Sequence, residues 1–473
     1  MQEQKPNYAF AFVVVTALFF MWGFITVLND ILIPHLKEVF SLTFTQTLLI
    51  QFCFFGAYFI VSLIYFILSI TGGDPIRRIG YKNGIIIALL IAGLGCGLFY
   101  VAGEIRQYWC FLGALFILAS GITILQIAAN PYVAILGSPQ TAPSRLNLSQ
   151  AFNSLGTTLA PLVGGYLILG EAASGVKAVQ IPYLGLAGAF WLLALIIRFT
   201  PLPAFQAPGA IERDAGALRF PHLRFGMLAI FMYVGGEVAL GSFIINYLGL
   251  PEVAGLPKTS ADAYLSYYWG GAMIGRFMGA VALSGMQNAG KRYGLMLGLA
   301  LGAFGVLFGA TYFLKDLTLE QVWPYLIFIA LNFFGLIIGR GRAALTLVIF
   351  SAAVIVMILV SVFSAGPWAM WMLLAVGLFN SIMWSNIFTL SIDGLGKYTS
   401  QGSSLLVMMI VGGALVPLAV ARLADTPSVG LKQSILLVVI CYAYLLFFGL
   451  KGYRAGKRPA EIDLENVHSP ISH

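Results

Sequence analysis

The chain has 473 residues, of which 60% are hydrophobic and only 9% charged, with a formal net charge of +8. That balance excludes an ordinary soluble globular domain, and its clustered charges between long apolar runs are the pattern of a polytopic helical membrane protein. The basic excess falls in short loops, which the positive-inside rule explains without a nucleic-acid partner.

Apolar runs of spanning length lie at about 8–33, 45–70, 84–103, 108–136, 148–169, 181–199, 222–248, 263–284, 292–314, 320–339, 343–364, 369–392, 402–423 and 431–450, which predicts about fourteen helices. The first run is itself a full span, so no cleavable signal peptide is expected. The proline-rich and charged stretch after Thr200 reads as a cytoplasmic linker between six helices and eight. Arg77, Arg78, Lys82, Arg145, Arg213, Arg219, Arg224, Lys291, Arg292, Arg340, Arg342 and Lys397 share one side when the N-terminus is cytoplasmic, and an even helix count returns the C-terminus there. The expected organisation is a six-helix bundle over 1–199, a linker over 200–221, a second bundle over 222–452 and a polar tail over 453–473.

Within the first run, Trp22, Thr26 and Asp30 are spaced four apart and form one polar-aromatic stripe. A carboxylate in a membrane span is costly unless protonated or paired, so Asp30 reads as an ion-coupling group; the alternative is an acid solvated at the outer interface or capping a helix break. Further along, Gln126 and Asn130 share one helical face, as do Gln150 and Asn153. Amides offer both donors and acceptors, which suits a neutral polyol covered in hydroxyls. Pro131 has no backbone N–H and frees a carbonyl one turn back, which membrane helices tolerate where they line a cavity. The two amide pairs therefore read as one wall of a sugar-sized cavity, against the alternative of hydrogen bonds between helices. Glu237 follows Gly235-Gly236 in a later span and reads either as a cation or sugar ligand or as a structural partner of Arg276. Arg276 reads as structural, pairing with a carboxylate or with backbone carbonyls. Asn380 and Asn386 would line the opposite wall by pseudo-symmetry of the halves, with core hydrogen bonding the alternative for Asn386.

Cys53, Cys96, Cys110 and Cys441 form no C-x-x-C pair, and the four histidines join no catalytic constellation. Neither a metal site, a disulfide framework nor an enzyme is indicated, and no cofactor is expected.

The loop Gly73-Asp74-Pro75-Ile76-Arg77-Arg78-Ile79-Gly80-Tyr81-Lys82 resembles the loop between helices 2 and 3 of the major facilitator superfamily. Gly73, Arg77, Arg78, Gly80 and Lys82 match its gating pattern, except that Arg77 stands where the family has the Asp of its gating ion pair. The stretches Phe20-Met21-Trp22-Gly23-Phe24-Ile25-Thr26-Val27-Leu28-Asn29-Asp30, Ala128-Ala129-Asn130-Pro131, Leu148-Ser149-Gln150-Ala151-Phe152-Asn153-Ser154-Leu155-Gly156, Tyr268-Trp269-Gly270-Gly271-Ala272-Met273-Ile274-Gly275-Arg276-Phe277 and Gly377-Leu378-Phe379-Asn380-Ser381-Ile382-Met383 resemble the fucose-galactose-glucose:proton symporters, most of all their glucose/galactose branch.

The resemblance implies the major facilitator fold, two pseudo-symmetric six-helix halves, and a bacterial inner-membrane importer of a monosaccharide driven by a cation gradient. The proton is the expected ion, with sodium as the alternative, and a monomer is expected; Asp30 matches the family's proton-carrying aspartate. Gln126 matches a glutamate of the fucose branch and cannot titrate, so coupling must do without that acid. Two departures stand out. The family has twelve helices, so 291–340 reads as a two-helix hairpin inserted in the C-terminal half. Trp384-Ser385-Asn386 stands where the family has an aromatic residue, proline and threonine, so the proline that would break the helix is absent. Competing readings are an uncoupled sugar facilitator and a membrane sugar sensor.

Overall fold

The structure, a computed structural model, describes residues 9–42, 44–168, 179–204 and 213–457. In chain order its helices are α1 (Ala9–Val39), α2 (Phe44–Thr71), α3 (Pro75–Ile79), α4 (Tyr81–Ile105), α5 (Tyr108–Ile135), α6 (Ala142–Ile168), α7 (Gln180–Phe199), α8 (Pro221–Leu248), α9 (Lys258–Ala282) and α10 (Ala289–Lys315). They continue as α11 (Leu319–Val322), α12 (Pro324–Ile338), α13 (Ala343–Phe363), α14 (Gly366–Asn380), α15 (Met383–Ile392), α16 (Thr399–Met408), α17 (Gly412–Ala424), α18 (Gly430–Ser434) and α19 (Leu437–Leu450). Among the described residues there is no strand, and eleven stretches are long and apolar enough to cross a membrane. A helix satisfies its own backbone, so it can face lipid where a strand edge cannot.

The chain folds as two compact units. The first takes Met1–Pro139, Leu155–Ala217 and Gly394–Met408; the second takes Gln140–Ser154, Leu218–Asp393 and Met409–His473. Two helical segments thus leave their sequence neighbours: the start of α6 belongs to the second unit, and α16 to the first.

In the first unit α4 packs on α5 and α7, and α5 also holds α2 and α16. The α4–α5 crossing is backbone on backbone. A Cβ added at Gly95 would stand 2.3 Å from the Leu118 nitrogen, and one at Gly121 would stand 2.3 Å from the Ala92 nitrogen. Small residues bring membrane helices together in this way, where water supplies no driving force between apolar faces. α5 continues through Pro131 without ending.

In the second unit α8 is central, packed by α15, α17 and α19, while α9 is flanked by α10 and α14. α14 and α15 form one membrane-length stretch, and an 18-residue window of it is entirely buried. That stretch turns at Ser381-Ile382. The absence of a proline at Trp384-Ser385-Asn386 therefore does not remove the break, which falls a few residues earlier. The freed carbonyls find side-chain partners. The Tyr233 hydroxyl lies 3.2 Å from the Asn380 carbonyl oxygen, and Arg276 Nε donates to the Ser381 carbonyl at 3.1 Å. Side chains that take up freed carbonyls let a helix break at membrane depth without a proline.

α10 and α12 lie at the edge of this unit. Leu297, Leu301, Phe334 and Ile338 are exposed on them, as are Gly294, Gly298 and Gly302 of α10. Lys315 at the end of α10 pairs with Asp262 of α9 at 2.7 Å.

Candidate functional site

In the first unit, α2 and α5 bring Tyr58 and Gln126 together, and the Gln126 amide donates to the Tyr58 hydroxyl at 2.8 Å. Trp22 and Thr26 of α1 lie close to that hydroxyl. Thr26 in addition donates to the Trp22 carbonyl at 2.9 Å, which ties the two members of the α1 stripe. Asp30 belongs to α1, but its side chain lies outside the described residues. One turn further along the same two helices come Ser62 and Asn130, both 0% exposed. The Ser62 hydroxyl, Gln126 Oε1 and both amide atoms of Asn130 have no hydrogen-bond partner among the described residues.

An orphaned buried polar group costs about 1–3 kcal/mol, so such a cluster persists where it serves something other than stability. Asn130→Leu removes two orphaned atoms while keeping the branching and heavy-atom count of the side chain. It should raise the thermal unfolding midpoint of the purified protein in detergent. A lowered midpoint would mean that bound water satisfies the amide.

The second unit holds the other amide pair, with Gln150 and Asn153 both buried in the first part of α6. Around them α6 is fastened by polar contacts. Ser144 donates to the Ala280 carbonyl at 2.5 Å, and Arg276 donates through Nη1 to Ser154 Oγ. Asn147 stands 3.5 Å from Asn386, whose own amide donates to the Ala343 carbonyl at 3.1 Å, which favours the core role for Asn386.

Glu237 anchors a second network. Its Oε1 accepts the Tyr233 hydroxyl at 2.7 Å, one turn back on α8. Its backbone carbonyl accepts the Tyr268 hydroxyl of α9 at 2.8 Å. Asn380 is held by two tyrosines: its Oδ1 accepts from Tyr442 at 2.8 Å and its Nδ2 donates to Tyr268 at 3.2 Å. The structure thus joins Asn380 to Glu237 and gives it two tyrosine partners. Arg276 is not within ion-pair distance of a carboxylate among the described residues; its partners are the Ser381 carbonyl and the Ser154 hydroxyl. A guanidinium with five donors finds the open carbonyl of the helix break first, while its charge still acts on Glu237.

The loop after α2 is organised by Asp74. Gly73 and Gly80 take positive φ angles of 88° and 82°, which favour glycine. Between them Asp74 caps α3, accepting from the Ile76 and Arg77 amides at 3.0 and 3.2 Å, with Pro75 in the first turn. Asp74 also accepts the Tyr65 hydroxyl and, from α16, the Ser400 hydroxyl, each at 2.6 Å. The acid missing at Arg77 is therefore present three residues earlier, and it holds α16. Arg78 donates to the Gly72 carbonyl, and Lys82 donates to the Thr200 carbonyl at 2.8 Å.

Tyr58, Tyr233 and Tyr442 were not indicated by residue type. Spacing offered one signal, since Tyr233 precedes Glu237 by a single helical turn.

No protein-family model matches the chain. A glucose/galactose transporter of Brucella abortus is 46% identical over 461 residues, covering 96% of this chain and 96% of that protein. The chain belongs to the fucose-galactose-glucose:proton symporter family of the major facilitator superfamily. An L-fucose-proton symporter of Escherichia coli is 30% identical to this family member over 473 residues, covering 94% of this chain and 93% of the relative. The solved structure of FucP, a major facilitator transporter in the outward conformation, matches with a TM-score of 0.73 at 29% identity, over 94% of this chain and 99% of that one. This member of the family is accordingly a multi-pass membrane transporter of sugars and not an enzyme.

Proposed function

We propose that the protein imports a monosaccharide of the glucose/galactose type by alternating access, coupled to a proton gradient. The observation that carries this reading is the near-complete match to the Brucella abortus glucose/galactose transporter. The Escherichia coli relative, an L-fucose-proton symporter, supports the proton as the coupling ion. Trp22, Gln126, Asn130, Gln150, Asn153 and Asn380 are assigned to the sugar, and Asp30 and Glu237 to the ion. The orphaned amide atoms of Gln126 and Asn130 support the first assignment, because a polyol can supply the donors and acceptors they lack.

The proposed architecture is fourteen helices: two six-helix halves, 1–199 and 222–452, joined by the linker 200–221, with the hairpin 291–340 inserted in the second half. The apolar outward faces of α10 and α12 support a peripheral hairpin. The proposed location is the bacterial inner membrane, as a monomer with both termini and the 453–473 tail cytoplasmic. The gating role is assigned to Gly73, Arg77, Arg78, Gly80 and Lys82, together with Asp74.

Proteoliposomes test the function. Labelled galactose and glucose should each show counterflow, and an imposed inward proton gradient should concentrate them until a protonophore collapses it. Absence of counterflow for any hexose would overturn the sugar. Accumulation driven by a sodium gradient alone would overturn the proton.

A further inference from the structure

The helix break at Ser381-Ile382 is held from two sides, and both holders reach beyond it. On one side, the Tyr233 hydroxyl has two acceptors, Glu237 Oε1 at 2.7 Å and the Asn380 carbonyl at 3.2 Å. A hydroxyl carries one proton and donates fully to only one of them. On the other side, Arg276 bonds the next carbonyl, that of Ser381, and with a second nitrogen the hydroxyl of Ser154. Ser154 is the last residue of the α6 segment that belongs to this unit, and that segment carries Gln150 and Asn153.

We propose that Tyr233 and Arg276 are positioning residues that convey the protonation state of Glu237, through the α14–α15 break, to the Gln150–Ser154 segment of α6. This rests on the assignment of Glu237 as an ion-coupling acid. With Glu237 ionised, its oxygen is the stronger acceptor and holds the Tyr233 proton, as charge-assisted hydrogen bonds do. When a proton binds the Glu237 carboxylate, that oxygen becomes a weaker acceptor. Tyr233 keeps its own proton and turns it to the Asn380 carbonyl, which tightens the break. Neutral Glu237 also ceases to attract the Arg276 guanidinium, which is left to the Ser381 carbonyl and Ser154. One proton is gained at Glu237; every other change is a redirected hydrogen bond. The ionisable groups facing Glu237 are Tyr233 on its own helix, Tyr268 and Arg276 on α9, and Tyr442 on α19. α14 presents the neutral Asn380, α15 has no ionisable residue, and α17 has only Arg422, in its last turn.

The test compares accumulation under an imposed proton gradient with counterflow exchange, using labelled galactose in proteoliposomes. Tyr233→Phe keeps the ring and deletes the hydroxyl. Its accumulation ratio should fall by roughly five-fold or more, and exchange by less than about two-fold, since a charge-assisted hydrogen bond is at stake in one state only. Ser154→Ala should show the same split, and Ser154→Thr, which restores a hydroxyl, should recover accumulation. Wild-type accumulation by Tyr233→Phe and Ser154→Ala overturns the proposal, as does a parallel fall of accumulation, exchange and thermal midpoint. Glu237→Gln is the control for the premise. If it still concentrates sugar, the coupling assignment falls and this proposal with it; if it does not while Tyr233→Phe and Ser154→Ala do, only the conveyance is wrong.

Discussion

Asp30→Asn and Glu237→Gln proteins should exchange labelled sugar across a bilayer yet fail to concentrate it against a gradient. Coupling needs a group whose charge changes within the transport cycle. Asn and Gln keep the size of the acids, resemble their protonated form and fix the charge at zero. A charge buried at membrane depth costs several kcal/mol, so neutralising it removes the penalty through which, on the proposed mechanism, reorientation is tied to proton binding. Steady-state accumulation should drop by an order of magnitude or more, since each ~1.4 kcal/mol of lost driving force is a factor of ten. Paired exchange and gradient-driven uptake decide it for each acid separately. A variant that still concentrates sugar relieves its acid of the coupling role, and one that loses exchange as well marks its acid as a sugar ligand.

Gln150→Ala and Asn153→Ala should weaken sugar uptake strongly while leaving the protein folded. Each hydrogen bond to a neutral hydroxyl is worth about 0.5–1.5 kcal/mol, and more when the partner is left unpaired in a closed site. The concentration of sugar needed for half-maximal uptake should therefore rise by roughly ten-fold in each, with the thermal midpoint nearly unchanged. Asn386→Ala is the contrasting case. Its amide bonds the Ala343 carbonyl, so its loss should lower the midpoint and spare the half-saturating concentration. Wild-type uptake by both α6 variants across sugar concentrations would place the binding wall elsewhere.

The multi-pass helical class is plain in the sequence, because runs of spanning length with few charges have one stable form in a bilayer. The break between α14 and α15 is not, since no proline or glycine marks it. It depends on Tyr233 and Arg276, which come from other helices and take up the freed carbonyls. The amides of Gln126 and Asn130 stand out by residue type, because a polar group at membrane depth is conspicuous. Tyr58 and Tyr442 do not stand out among 21 tyrosines, since nothing in a local pattern tells a hydroxyl in the headgroup region from one buried against a partner; Tyr233 is marked only by its spacing of four from Glu237. Asn380 is conspicuous for the same reason as Gln126, yet two tyrosines already occupy its amide, a fact that requires three helices to be placed. The loop after α2 misleads in a different way. Compared position by position, Arg77 has lost an acid; folded, Asp74 caps α3 and binds Ser400 of α16.

The bare outer face of α10 makes the molecule easy to instrument. A Cβ at Gly294, Gly298 or Gly302 would meet nothing within 4 Å, so a cysteine at any of them can carry a spin label or a fluorophore without displacing a neighbour. α10 packs along α9, and the α9 backbone touches α14 so closely that a Cβ at Gly377 would stand 2.0 Å from the Tyr268 carbonyl oxygen. A reporter on α10 therefore rides on a block with little internal play, and spectroscopic distances from it follow the helix that carries Arg276 through the transport cycle.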